Sequence, residues 1–324
     1  MGALRHVLFW SMLALANLSL PTIVLAQTNQ TTALLAEGRQ IAQRYGNQLW
    51  PGFSQTRFDV LLVTQQQELL FCAKNRPDGF EPWRFDPETS CPVYIRKPGQ
   101  FSPKTQVTLH LDGSGPTIVM GEPQSLEDNP AAWLATLWHE HFHQYQMSRL
   151  RFQNRPDQTD PFSYSNPVPA KVLTTLSRQL AEILRQPDRK TRLHLAQAYA
   201  TNRTELLSHL SDPDQTYLEF QLWQEGVARY TELAMAEFAA GSTVQIGDTP
   251  HDFAALAANL RRRVLQVLSD PEPMRHQRVL FYSIGAAEAL VLDEINPHWR
   301  SSYLTYPFAL KNHFAKIVTT PVSD

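Results

Sequence analysis

The spacing of apolar positions along this chain changes once, near residue 125. Before that point, short runs rich in Val, Ile, Leu and Phe are bounded by Gly, Pro and Asp: RFDVLLVTQ (57–65), ELLFCA (68–73), PVYIRK (92–97), QVTLHLD (106–112) and PTIVMG (116–121). Runs of that length and composition predict strands and hairpins. One segment of this part, 31 to 50, instead repeats its apolar residues at helical spacing. From Asn129 onward the pattern predicts helices over 130–150, 169–186, 189–210, 213–239, 252–269, 274–295 and 307–318, with Pro and Gly between them. Strands first and helices after predict an α+β fold, with one mixed sheet in the N-terminal part and a mainly helical C-terminal part. The longest connection without a periodic pattern is FQNRPDQTDPFSYSNPVP, 152 to 169. Loops of that length are functional covers or disordered, and its position suggests a cover over a cleft.

The first 26 residues change the domain picture. Arg5 precedes an apolar run from Val7 to Leu20, and a Pro21-containing tail ends Val24-Leu25-Ala26. That is the layout of a cleavable leader cut after Ala26, and its apolar core is short for a membrane span. The expectation is a secreted or periplasmic protein with no stable membrane span after cleavage, divided into a leader (1–26), a sheet part (27–128) and a helical part (129–324). Cys72 and Cys91 flank the loop AKNRPDGFEPWRFDPETS, and in an exported chain they are expected to pair. Lys and Arg number 29 against 31 Asp and Glu, and they are dispersed apart from Arg261-Arg262-Arg263 on a predicted helix. Nothing in that balance points to nucleic acid.

The chemistry concentrates in WHEHFHQY, 138 to 145. Asn129-Pro130 supplies an N-cap and a proline at the first helical position, so the segment is predicted to be a helix. On a helix, His139 and His143 stand one turn apart on one face and can share an ion, and Glu140 lies where a water bound to that ion would be. The pattern is HExxH, and it predicts a zinc site with Glu140 as the base that takes the proton of the water. Period-two spacing of His139, His141 and His143 would also suit a strand, but the flanking residues are helix formers and do not alternate. His141 then faces away from the ion, as a structural or substrate-facing histidine.

A catalytic zinc site needs a third protein ligand. Downstream of the helix stand His209, Glu219, Glu225, Glu232 and His251, and Glu225 lies in the distinctive segment LWQEGVARYTEL, 222 to 233. HEHFH followed by QEGVARYTE resembles the gluzincin branch of the zincin metallopeptidases, whose aminopeptidase members carry an NEGFAxxxE-type motif on a second helix. The resemblance implies a zincin-like fold, His139, His143 and Glu225 as ligands of one zinc ion, and Glu140 as the base. Gly226 would let two helices approach closely. An ordinary surface position for Glu225 stays open. Two departures restrict the transfer: 82 residues run from His143 to Glu225, and the amine-recognising GxMEN motif is missing from the upstream strand, which reads PTIVMGEPQ.

Gluzincins commonly use a downstream tyrosine to hold the developing oxyanion. Tyr282 before the small-residue patch SIGAA fits that role, or is an aromatic on a core helix. His276 has similar standing. Glu232 either supports a ligand imidazole or forms an exposed ion-pair ladder with Glu225 and Arg229. These readings converge on a zinc-dependent hydrolase acting on a peptide or protein substrate, a peptidase by family resemblance. The alternative is an exported scaffold that keeps a metal without turnover.

Overall fold

A computed structural model describes residues 20–126, 129–149, 162–242 and 251–318. Most of the predicted leader and the 152–161 portion of the long connection lie outside the described residues. Helix α1 (Leu20–Leu49) leads into six strands: β1 (Val60–Val63), β2 (Glu68–Phe71), β3 (Glu81–Asp86), β4 (Cys91–Arg96), β5 (Gln106–His110) and β6 (Pro116–Gly121). The strands form one sheet in the order β3-β4-β2-β1-β6-β5. Only the β1–β6 pair is parallel, so the sheet is mixed. The chain is α+β, with a mainly helical part following the sheet.

Strand β1 is central and buried along its whole length. Its alternate residues serve two cores: Val60 and Leu62 join the main apolar cluster, while Leu61 and Val63 pack with Leu70, Phe80 and Val119 on the other face. The main cluster continues through α1 and into the helices after residue 129, so one apolar core runs through both parts of the chain.

Strand β3 was not expected. It lies inside the loop between the two cysteines, and its first five residues are exposed. A strand with no buried face shows no apolar alternation, and Pro82 and Pro87 mark it as a turn region by composition. It pairs with β4, and the Cys72–Cys91 disulfide is formed at the base of this excursion. A disulfide fits an exported protein. Among the described residues no helix is long and apolar enough to cross a membrane.

The helical part comprises α2 (Pro130–Arg149), α3 (Pro167–Arg185), α4 (Arg189–Leu207), α5 (Asp212–Gln221), α6 (Val227–Ala240), α7 (Phe253–Leu268), α8 (Arg278–Ile295) and α9 (Lys311–Val318). Several of its N-termini are capped by side chains, whereas those of α6 and α8 are not. Asn129 accepts from the Ala132 amide at 2.9 Å, Asn166 from Val168 at 3.0 Å and Asp252 from Ala255 at 2.8 Å. The helix expected over 213–239 is interrupted by a π-helical turn, Leu222–Gly226, and the one expected from 274 begins at Arg278 after a 3-10 turn.

Helix α2 is buried on nearly every side from Trp133 to Gln146. Trp133 donates to the Gly121 carbonyl at 2.8 Å and Trp138 to the Gly38 carbonyl at 3.0 Å, which fixes α2 between β6 and α1. Behind it, Trp50 packs on Phe142, Tyr230, Trp299 and Tyr303. This aromatic layer gives the polar residues of α2 a rigid base.

Candidate metal centre

The side chains of His139, His143 and Glu225 converge on one point. Nε2 of His139 and of His143 lie 3.4 and 3.3 Å from the same carboxylate oxygen, Glu225 Oε2. All three are buried, and their ligand atoms lie within 4.8 Å of one another. The two imidazoles come from successive turns of α2, as the spacing required. Glu225 arrives from the π-helical turn, a distortion common at functional sites. The turn lies against α8 through Gly226 and Gly285. A Cβ on Gly226 would clash with the Gly285 backbone, and one on Gly285 would stand 2.7 Å from the Leu222 carbonyl oxygen. The close approach expected of Gly226 is present, and it sets Glu225 beside Tyr282.

The outer nitrogens are held differently. Nδ1 of His143 lies 2.7 Å from Oε1 of Gln146, whose amide donates to the Tyr303 hydroxyl at 2.7 Å and to the Gln224 carbonyl at 3.2 Å. Because the Gln146 oxygen can only accept, Nδ1 carries the proton and Nε2 keeps its lone pair for the shared point. For His139, the nearest acceptor to Nδ1 is Glu232 Oε2 at 3.4 Å, a long contact that leaves Nδ1 without a hydrogen bond among the described residues. Glu232 is buried and takes a 2.6 Å bond from Arg229, so it lies beside His139 as part of the buried surroundings and is no exposed ladder.

Electrostatics bind the three groups together. Burial alone would lower both histidine pKa values, but the carboxylates outweigh it: Glu225 and Glu232 bring His139 to about 9, and Glu225 raises His143. Burial would raise Glu225, yet the two histidines hold it well below the usual carboxylate range. A dication binding here displaces the imidazole protons, so its affinity falls at low pH. Two imidazole nitrogens and a carboxylate oxygen suit zinc or a similar first-row dication, and the buried triad is therefore compatible with a metal site.

Beside the triad opens a cavity of about 340 Å³, lined by both histidines, Glu140, Glu225, Arg278 and Tyr282, with β5 along one wall. Glu140 is fixed by Thr108 of β5, whose hydroxyl lies 2.8 Å from both Oε2 and the backbone carbonyl of Glu140. Tyr282 stacks parallel to His139 at 6.0 Å between ring centres. Burial first, and then the Glu225 charge, push its phenol well above its ordinary value, so it remains a hydrogen-bond donor. Arg278, whose guanidinium carbon lies 6.0 Å from the centre of the Tyr282 ring, donates to Glu225 Oε1 at 2.9 Å.

The other residues singled out from sequence go elsewhere. His141 is buried against Phe53 and Phe58, with Nδ1 2.8 Å from Gln144 Oε1, and burial lowers its pKa to about 4. His276 pairs with Asp270 at 2.7 Å outside the cavity lining. Glu219 is bound by Arg203, His251 stands against Glu37, and His209 is exposed. Sequence reading missed Thr108, Gln146, Arg278 and Tyr303. Gln146 at three residues past His143 and Arg278 at four before Tyr282 carry a helical-spacing signal. Thr108 carries none, because the meeting of β5 with α2 is non-local.

Compared with protein-family models, curated proteins and solved structures, the chain matches none.

Proposed function

We propose that this protein is an exported zinc-dependent peptidase of zincin type, gluzincin-like in its ligand set. The observation that carries this reading is the convergence of His139, His143 and Glu225 at a cavity into which Glu140 also projects. Three protein ligands leave a coordination position for reaction, whereas a structural zinc site is closed by four. Zinc held there would supply Lewis acidity, polarising a carbonyl and making a nearby water a better proton donor.

The chain's own groups then have distinct tasks. Glu140 takes the proton of the attacking water and returns it to the leaving amine, and Thr108 holds the carboxylate in place for both transfers. The Tyr282 hydroxyl donates to the oxygen on which negative charge develops, so it favours the transition state over the ground state. An extended substrate suits the wall of the cleft. Gly121 donates to the Thr105 carbonyl at 3.2 Å, and the antiparallel alternation then turns the N–H and C=O groups of Gln106 and Thr108 away from β6, toward the free edge of β5. A peptide can pair with such an edge, which favours peptide over other acyl substrates. Export rests on the leader read from the sequence, and the disulfide agrees with it.

The test is metal analysis together with Glu140→Gln. The variant should keep one zinc per chain and lose peptide hydrolysis by about two to four orders of magnitude in kcat. A protein that retains its metal but hydrolyses no peptide, with or without the substitution, is the metal-bearing scaffold instead.

A further inference from the structure

Resting on the peptidase reading, we propose that Arg278 makes this cleft select substrates that carry a carboxylate next to the bond that is cut, either an acidic side chain or the free C-terminus of the peptide. Arg278 opens α8 one turn before Tyr282, so both side chains project from one helical face into the cavity.

The guanidinium is half committed. Along one edge, Nε donates to Gln221 Oε1 at 3.2 Å and Nη2 to Glu225 Oε1 at 2.9 Å. Nη1 has no hydrogen-bond partner among the described residues, and the side chain is 47% exposed where Glu225 is 7% exposed. The fork formed by Nη1 and the second hydrogen of Nη2 is therefore unused by the protein, on a side chain that lines the cleft. That edge matches a carboxylate with two parallel bonds, whereas a neutral carbonyl leaves the charge unanswered.

Charge balance in the cavity points the same way. Its lining holds two carboxyl groups, Glu140 and Glu225, whose charge a dication would offset. Arg278 is then the surplus charge, since Gln106, Gln146 and Gln224 are neutral amides. Arg229 also lies near Tyr282, but it is neutralised by Glu232 at 2.6 Å. A cleft with one unanswered cation beside the reacting centre favours an anionic substrate group in its rate of capture and in its binding.

The experiment uses the zinc-loaded chain and pairs of otherwise identical fluorogenic peptides: Glu against Gln flanking the scissile bond, and free acid against amide at the C-terminus. The acid member of at least one pair should be preferred by about ten- to a hundredfold in kcat/KM. The internal pair shows the preference if the site takes a side chain, and the terminal pair if it takes the peptide end. Arg278→Gln should bring that ratio close to one. Arg278→Lys keeps the charge without the fork and should lower the ratio part-way, which covers the case where the glutamine variant sheds zinc. In parallel, calorimetry should show N-acetylglutamate binding the zinc-loaded protein more tightly than N-acetylglutamine, with the difference lost in Arg278→Gln. Equal turnover of acid and amide in both pairs, or an acid preference that survives the substitution, overturns the proposal and leaves Arg278 as a holder of Glu225. If no peptide is cut yet the acid probe binds in an Arg278-dependent way, the peptidase reading falls and the carboxylate site stands.

Discussion

Two clusters of buried charge occupy the helical part of this molecule, and they are built to opposite ends. In the first, Arg203 is enclosed by α4, α5, α8 and α9. Its Nε and Nη2 bind the two oxygens of Glu288 at 2.7 and 2.9 Å, and Nη1 binds Glu219 at 2.8 Å. Tyr199 donates to Glu288, and the Lys311 amide to the second oxygen of Glu219. In the second cluster, His139, His143 and Glu225 approach one another at 3.3 to 3.4 Å, beside a cavity, with His139 Nδ1 unbonded among the described residues. Both clusters are buried and ionic. Burial and charge thus do not mark function by themselves; what separates the two is whether the coordinating atoms are already used by the protein.

The closed cluster should fail as a unit when it is opened. Arg203→Met leaves Glu219 and Glu288 buried without a counter-charge, which costs about 3 to 5 kcal/mol of unfolding free energy. Urea denaturation measures this loss, and the folded fraction should keep its full metal content. A variant that folds normally but loses metal would break the comparison, because α8 carries both Glu288 and Arg278 and the two clusters would then act as one.

The open cluster was the more legible of the two, and the reason is local spacing. Asn129-Pro130 announces the start of α2, and HExxH puts two imidazoles on one face whatever surrounds them. Glu225 stood out through the resemblance of QEGVARYTE to a metallopeptidase motif, and the glycine after it permits the contact with Gly285. Arg203 left no such trace: its partners lie 16 and 85 residues away, and Glu219 drew attention only as a metal ligand it is not. The π-helical turn that carries Glu225 was equally hidden, since no sequence pattern announces it; in the fold it lies against α8 through Gly226 and Gly285. Among strands, β1 was readable because every side chain is apolar and buried, and β3 was not because it is exposed.

The supports of the open cluster should affect metal affinity before all else. Glu232→Gln removes the carboxylate that lies 3.4 Å from His139 Nδ1, and Gln146→Met removes the acceptor that fixes the His143 tautomer. Each should weaken zinc affinity by about ten- to a hundredfold, read by competition with a chromophoric chelator. If either variant binds zinc as tightly as the parent, the ligands are oriented by the aromatic packing behind α2 rather than by these contacts.

Between the two extremes stands Glu37 on α1, a buried carboxylate with an incomplete set of partners. Its Oε2 lies 3.2 Å from His251 Nε2 but makes no hydrogen bond among the described residues. Burial raises its pKa to about 7, from 4.5 in an unfolded chain, and burial likewise lowers that of His251. Between pH 4.5 and 7 the folded state therefore holds a proton at Glu37 that the unfolded state has lost, and the contribution of this residue to stability declines as pH rises through that window. Glu37→Gln keeps the shape and removes the titration. The variant should be more stable than the parent by about 1 to 2 kcal/mol at pH 8, with solvent reaching the pair reducing the full effect, and the gap should close towards pH 4. Thermal unfolding at the two pH values measures it. A variant less stable than the parent at pH 8 would mean that Glu37 is ionised and paired with a charged His251, which would place the pair with the closed Arg203 cluster.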